Sequence, residues 1–128
     1  MPEKKLILFV EDDPDIAKLG KVRLESAGYE VLLASDGMDA LTKARSNKVD
    51  LIVLDLMLPK MDGYKVCRML KFDAKYKKIP IIMLTARGAE EDKKLGKDSG
   101  ADAYLVKPYE PETLLQNIKE LIGKASSE

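Results

Sequence analysis

Short apolar runs alternate with helical patterns along this chain, and the alternation restricts the possible folds more than any other feature. Five runs are strand-like, at residues 5–10, 30–34, 51–54, 79–84 and 103–106. The run 51–54 is apolar at every position, which indicates burial on both faces and therefore a parallel sheet. Strands that alternate with single helices predict a doubly wound α/β sandwich with right-handed crossovers.

Helical segments are expected between and after these runs, at roughly 14–27, 36–47, 64–72, 90–99 and 111–123. Asp13 precedes Pro14 and is the expected N-cap of the first helix, which ends at Gly28. Ser35 or Asp36 opens the second helix. The segment 90–99 is the weakest helix signal, because it contains a glycine that costs up to ~1 kcal/mol relative to alanine.

Each of the other four helices has residues that we expect to face the sheet. These are Ile16, Leu19, Val22, Arg23 and Ala27 in the first helix, Ala40, Leu41 and Ala44 in the second, Val66, Met69 and Leu70 in the third, and Leu114, Leu115, Ile118, Leu121 and Ile122 in the last. A stripe of this kind predicts one buried helix face.

Length and charge exclude several classes of protein. The 128 residues suit one domain, expected at 1–123, with a polar tail at 124–128. The 22 basic and 22 acidic residues cancel, so no net field draws the chain to nucleic acid or lipid. The single cysteine, Cys67, cannot form an internal disulfide, and no run approaches the roughly 20 residues of a membrane span. We therefore expect a cytoplasmic protein in which Cys67 fills space in the core.

Histidine is absent from the chain. Catalysis through imidazole and metal sites built on histidine are therefore excluded, and any metal site must use oxygen ligands.

Polar residues follow four of the apolar runs, at the points where the strands should end. They are Glu11 and Asp12, Asp55, Thr85, and Lys107. In an open α/β sheet, ligands bind outside the carboxyl ends of the strands. Acids, one hydroxyl and one ammonium at that edge can hold a divalent cation and an anion together, which is the chemistry of a phosphoryl group. Taken singly, each residue has an ordinary reading as a turn acid or a surface polar group, and Asp13 is expected only to cap its helix.

Five motifs in order resemble the receiver domain of bacterial two-component response regulators, over nearly the whole chain and in the manner of a chemotaxis receiver. They are Phe9-Val10-Glu11-Asp12-Asp13, Asp55-Leu56-Met57-Leu58-Pro59 with Met61-Asp62-Gly63, Thr85-Ala86, Gly100-Ala101-Asp102-Ala103-Tyr104, and Lys107-Pro108. The resemblance implies a flavodoxin-like parallel sheet of five strands in the order 2-1-3-4-5, with five helices.

The resemblance also implies a role for each site residue. Asp55 would be the phosphoacceptor. Mg²⁺ would bind Asp12 and Asp55 directly, Glu11 through water, and the backbone carbonyl of Met57. Lys107 would pair with Asp55 at rest and with a phosphate oxygen afterwards.

Further positions would govern access, lifetime and switching. Thr85 would donate its hydroxyl to the phosphate, and the small Ala86 would leave access to it. Met57 and Arg87 occupy positions that influence dephosphorylation in the family. Tyr104 lies at the position where the family has an aromatic ring that changes its exposure on activation. The alternative is that Tyr104 is an ordinary aromatic residue of a strand. The Lys107-Pro108 bond is expected to be cis.

The expected partners follow from these roles. The resemblance implies that a histidine kinase or phosphotransfer protein donates the phosphoryl group, since the chain has no donor histidine of its own. Phosphorylation would change the face formed by the predicted helix at 90–99, the last strand and the last helix, which would then bind a downstream protein partner. We expect no direct contact with nucleic acid or membrane. We also expect a monomer at rest, since Asn117 replaces an arginine that winged-helix-type receivers use in their dimer.

Other functions remain open. A pseudo-receiver would only dock partners, although the complete set of site residues argues against it. A small aspartyl-nucleophile phosphatase needs a second aspartate two residues after the nucleophile, where this chain has Met57. A flavodoxin-like cofactor protein needs a hydroxyl-rich phosphate loop after the first strand, which is missing. We therefore expect a protein that catalyses only its own phosphorylation and dephosphorylation, either alone or as part of a longer chain.

Overall fold

Five strands and four helices are seen in a computed structural model that describes residues 4–55, 63–85 and 100–126. In chain order they are β1 (Leu6–Val10), α1 (Pro14–Ser26), β2 (Glu30–Ala34), α2 (Gly37–Ser46), β3 (Leu51–Asp55), α3 (Gly63–Lys71), β4 (Ile81–Thr85), β5 (Ala103–Val106) and α4 (Pro111–Ser126). The helix predicted at 90–99 lies outside the described residues. Among the described helices, none combines the length and apolar character that a membrane crossing requires.

The strands form one parallel sheet in the order β2-β1-β3-β4-β5. This is the predicted order. The three central strands are buried along their length, apart from the first residue of β1. Burial on both faces explains why these strands are apolar at nearly every position instead of alternating with polar residues.

Among the described helices, two pack on each face of the sheet. On one face α2 and α3 pack against alternate strand residues such as Leu8, Ile52 and Met83. On the other face α1 and α4 pack against the intervening residues, including Phe9 and Val53. The arrangement is the doubly wound sandwich that the sequence predicts.

The helix ends follow the predicted capping. The Asp13 carboxylate accepts hydrogen bonds from the backbone N–H groups of Asp15 and Ile16, at 2.9 and 3.3 Å. Asp36 caps α2 by accepting from the Asp39 N–H at 2.8 Å. Gly28 follows α1 with a φ of 99°, a left-handed conformation that glycine adopts without strain.

The predicted buried face of α1 is wrong. Ile16, Leu19 and Val22 are 47%, 51% and 52% exposed, while Ala17 and Leu24 are buried. Helix α1 instead faces the sheet with Leu24 and with small residues such as Ala17, which allow its backbone to approach the strands closely. Hydrophobicity alone selected the wrong face, because three of its larger apolar residues lie on the solvent side.

Helix α1 comes closest to the sheet at Gly20. A Cβ atom built on Gly20 would lie 2.7 Å from the Phe9 ring, and that ring is almost completely buried. The contact requires glycine, because a buried ring has little room to move.

Smaller differences from the sequence prediction concern element ends. Met69 on α3 is 39% exposed and does not face inward, whereas Val66 and Leu70 are buried. Strand β4 begins at Ile81 rather than residue 79, since Pro80 has no N–H for the ladder. Helix α4 continues past Gly123 to Ser126, because one exposed glycine weakens a helix without ending it.

Gly20→Ala should lower the free energy of unfolding by roughly 1–2 kcal/mol, since overpacking against Phe9 outweighs the gain in helix propensity. Gly123→Ala is the matched control. Its Cβ would meet nothing within 4 Å, so it should raise stability by up to about 1 kcal/mol. Urea denaturation of both variants measures the effect. A Gly20→Ala protein more stable than the parent would contradict the close approach.

Candidate functional site

Four strands deliver polar side chains to the same edge of the sheet. Glu11 follows β1, Asp55 ends β3, Thr85 ends β4 and Lys107 follows β5. The register places these ends side by side, with Asp55 opposite Leu84 and Thr85 opposite Val106. The apolar strands therefore bring the polar groups together at the point where the buried sheet ends.

Asp55 and Lys107 form the central contact of the site. The Lys107 Nζ donates to Asp55 Oδ2 at 2.8 Å, and Asp55 is 6% exposed. The Lys107 backbone N–H also donates to the Thr85 carbonyl at 2.7 Å, which ties the chain after β5 to the end of β4. The ammonium group is thus held in front of Asp55 by the backbone ladder as well as by charge.

Glu11 is the second buried carboxylate. Its Oε1 lies 3.5 Å from the Lys107 Nζ, and its Oε2 accepts from the Asp13 N–H at 3.2 Å. Burial is the largest influence on this carboxyl group, followed by the opposing effect of that N–H, and the net result is a raised pKa for Glu11. Protonation of Glu11 therefore begins at a higher pH than for an exposed glutamate.

Opposing effects act on the Lys107 ammonium. Burial alone would lower the pKa of Lys107, but the hydrogen bond and charge of Asp55, with a contribution from Glu11, leave it above the ordinary value. Lys107 therefore stays charged at neutral pH.

Three carboxylates cluster around this contact. Ligand oxygens of Glu11, Asp12 and Asp55 lie within 4.8 Å of one another, with Asp12 exposed and the other two buried. One ammonium cannot balance three carboxylates, and oxygen ligands suit a hard divalent cation. The residues present therefore fit a metal ion. Met57, whose carbonyl the sequence assigns to the metal, lies outside the described residues.

Asp13 takes no part in the cluster, because its carboxylate caps α1. The adjacent Asp12 is thus distinguished from Asp13 by geometry as well as by motif.

Thr85 and Tyr104 lie on the same side of the sheet. Thr85 is 1% exposed, and Tyr104 is opposite Met83 and packs against the core formed with α2 and α3. Tyr104 therefore lies on the strand next to that of Thr85, in a diagonal position.

The Lys107-Pro108 peptide bond is cis, the isomer that the sequence predicts. Ala86 and Arg87 lie outside the described residues.

Sequence reasoning did not single out Tyr109, which borders the site. Its ring lines a small cavity between α1 and α4, next to Arg23. Burial raises the pKa of Tyr109, while the charges of Lys107 and Arg23 oppose that rise. The sequence feature that could have identified Tyr109 is its position two residues after Lys107.

Comparison with known proteins identifies a family. Residues 7–119 match the response regulator receiver domain. The chain is 47% identical over 118 residues to the DNA-binding dual master transcriptional regulator RpaA of Synechocystis sp., covering 92% of this chain and 49% of that protein. The chain spans about half the length of the curated relatives it matches.

Solved structures show the same fold. The chemotaxis response regulator CheY4 of Vibrio cholerae superposes with a TM-score of 0.86 at 38% identity, covering 93% of this chain and 99% of that one. The receiver domain of the sensor histidine kinase PA1611 from Pseudomonas aeruginosa PAO1 has a TM-score of 0.87 at 33% identity, covering 94% and 99%. That structure contains a magnesium ion coordinated in its active site cleft.

The acidic cluster should bind Mg²⁺, and binding should stabilise the fold by about 1.4 kcal/mol at a concentration about ten times Kd. Asp12→Ala should abolish this gain and the Mg²⁺-dependent NMR shifts near Asp55. Lowering the pH should weaken binding as Glu11, whose pKa is raised by burial, takes up a proton.

Asp13→Ala is the control for the Mg²⁺ experiment. It should lower stability by about 1 kcal/mol through loss of the helix cap while leaving Mg²⁺ affinity unchanged. If Asp13→Ala abolished binding and Asp12→Ala did not, the assignment of the cluster would be wrong by one residue.

Proposed function

Because the chain belongs to the response regulator receiver domain family, we propose that it is a phosphorylation-controlled switch that accepts a phosphoryl group on Asp55. The observation that supports this proposal is the Asp55–Lys107 contact of 2.8 Å inside a cluster of three carboxylates. A buried carboxylate beside a fixed ammonium is suited to attack an anionic phosphoryl group once the local negative charge is neutralised.

In the proposed reaction an Asp55 carboxylate oxygen bonds to phosphorus while the bond from phosphorus to the donor breaks. The donor leaves with that electron pair. Lys107 exchanges its ion pair with the Asp55 carboxylate for one with a phosphate oxygen. Thr85, at the end of the adjacent strand, donates its hydroxyl to another phosphate oxygen. The residues position and neutralise charge and undergo little covalent change themselves.

Glu11, Asp12 and Asp55 would hold the proposed Mg²⁺, together with the carbonyl of Met57 that the resemblance assigns. The ion would neutralise the phosphate oxygens, a role for which few carboxylates and retained water ligands suit it. The magnesium in the cleft of the PA1611 receiver domain supports this assignment. Under this proposal the protein catalyses only its own phosphorylation and dephosphorylation.

The proposed donor is a histidine kinase or phosphotransfer protein. Helix α1 begins directly after the acidic residues that follow β1, and it carries three exposed apolar side chains, Ile16, Leu19 and Val22. Apolar side chains that a helix leaves in solvent near a reactive carboxylate are suited to receive a partner. Their exposure, which conflicts with a core role, supports docking of a protein donor.

The proposed output is a change in the face that includes β5 and α4. Movement of the Thr85 hydroxyl toward phosphate would leave room on the side of the sheet where Tyr104 lies, and the Tyr104 ring would turn inward. Such a change shifts an equilibrium between existing conformations. The surface so formed would bind a protein or an attached domain. The name of RpaA records DNA binding for that protein, and any such activity would be controlled here indirectly, through the bound protein or domain.

Asp55→Asn should take up no phosphate from acetyl phosphate, because an amide oxygen is a poor nucleophile. The parent protein should gain the mass of one phosphoryl group by intact mass spectrometry, and only when Mg²⁺ is present. Lys107→Ala should retain the nucleophile but react more slowly. Equal labelling of the Asn variant and the parent would place the acceptor elsewhere and refute the proposal.

A phosphoryl mimic, beryllofluoride with Mg²⁺, should alter hydrogen exchange in β5 and the start of α4 as well as near Asp55. Thr85→Ala should bind the mimic yet lose the distant change, since the hydroxyl transmits it. Changes confined to the surroundings of Asp55 in the parent protein would favour a pseudo-receiver that docks partners without switching.

A further inference from the structure

A second cleft lies at the opposite edge of the sheet from Asp55. Its volume is about 590 Å³, and it opens below the amino ends of β4 and β5. Its lining residues come from the end of α3 and the segment after it, from the turn before β5 and from the end of α4: Lys71, Lys77, Lys78, Pro80, Asp102, Leu121 and Lys124. The volume is in the range of small-molecule sites.

One ion pair fixes the wall of this cleft. The Lys71 Nζ donates to Asp102 Oδ2 at 2.9 Å and to the Ile79 carbonyl at 3.0 Å. The same Asp102 oxygen accepts from the Ile81 N–H at 2.8 Å. Asp102 Oδ2 therefore accepts from both a side chain and the backbone, and this carboxylate, the one acid among the described lining residues, is already paired with Lys71.

Two other cations of the cleft, Lys77 and Lys78, face no such partner among the described residues. Within the described part of the chain, Lys77 and Lys78 form no ion pair, and both are exposed. Lys124 adds a further ammonium from α4. A concave surface lined by one sign of charge concentrates its field and attracts counter-ions.

Helix stabilisation explains only part of this charge. Lys71 and Lys124 lie in the last turns of α3 and α4, where cations favour the helix dipole. Lys77 and Lys78 lie beyond α3, in the segment that leads to β4, and stabilise no described helix end.

Two other clefts show that this charge is local. The cleft beside β2 combines Lys4 with Glu25 and Glu30. The cleft next to Asp12 and Asp39 is acidic apart from Lys43. The net charge of the chain is zero, so the cations of the Lys77–Lys78 cleft are segregated from the acids of the Asp55 site.

The geometry points to a binding site for a compact polyphosphate anion, such as the phosphate chain of a nucleotide, in this second cleft. Lys77 and Lys78 pair with the phosphate oxygens, as compact lysine charges do in phosphate sites, and Lys124 adds to the positive field of the cleft. Pro80 and Leu121 provide an apolar surface for any group attached to the phosphates. The site is separate from Asp55 and requires no metal.

Titration of the whole chain with inorganic tripolyphosphate, in the presence of EDTA, tests the site. EDTA prevents metal-bridged binding at the acidic cluster. Backbone amide shifts in NMR spectra should saturate at Lys77, Lys78 and Asp102. The double variant Lys77→Ala/Lys78→Ala should weaken binding by about ten-fold or more. Lys71 is left in place, because its ion pair holds the wall together.

The matched control is Lys18→Ala/Lys119→Ala, which removes the same charge from two exposed lysines outside the cleft. It should bind tripolyphosphate as the parent does. A loss equal to that of Lys77→Ala/Lys78→Ala, or shifts spread over lysines throughout the chain, would show unspecific attraction and overturn the site.

Two further probes define the ligand class. ATP that binds as tightly as tripolyphosphate assigns recognition to the phosphates, and tighter binding with shifts at Leu121 adds the apolar surface. Both results support the proposal. Hexaglutamate binding as tightly as tripolyphosphate would indicate an acidic peptide surface and would overturn the assignment to phosphate.

Discussion

Burial of the sheet on both faces is the constraint on which the rest of the structure depends. Strands β1, β3 and β4 lie between two helical layers and can carry polar side chains only where the layers end. Asp55 and Thr85 occupy the last positions of their strands, and each is almost completely buried. The reactive groups therefore gain a low-dielectric environment without interrupting the core, and each charge interaction there is stronger than at the surface.

Much of this architecture could be predicted, because the signals are local or follow from topology. Capping by Asp13 depends on one side chain and the next three residues. Convergence of Glu11, Asp55, Thr85 and Lys107 depends only on parallel strands ending at a common edge. Sequence order could not supply distances, and the 2.8 Å contact between Lys107 and Asp55 required the structure. The shift in the Glu11 pKa likewise depends on burial that no motif reveals.

Helix α1 shows where the sequence was insufficient. An amphipathic pattern reports that apolar residues share a face, but it does not report whether that face meets the sheet or a partner. At α1 the close approach of Gly20 to Phe9 decides the question, because a larger side chain at position 20 could not fit between helix and strand. Leu19 and its apolar neighbours are consequently displaced to the solvent side. The apolar residues wrongly assigned to the core therefore form an exposed surface, and core packing does not explain their apolar character.

Unequal exposure within the acidic cluster has a kinetic consequence. Glu11 and Asp55 are enclosed by the fold, but Asp12 is in contact with solvent. Asp12 would therefore be the first of the three carboxylates to meet a hydrated ion, while the chain remains folded. Ion exchange at the proposed site would be limited by loss of water rather than by opening of the structure, so occupancy would follow the free ion concentration without delay from unfolding.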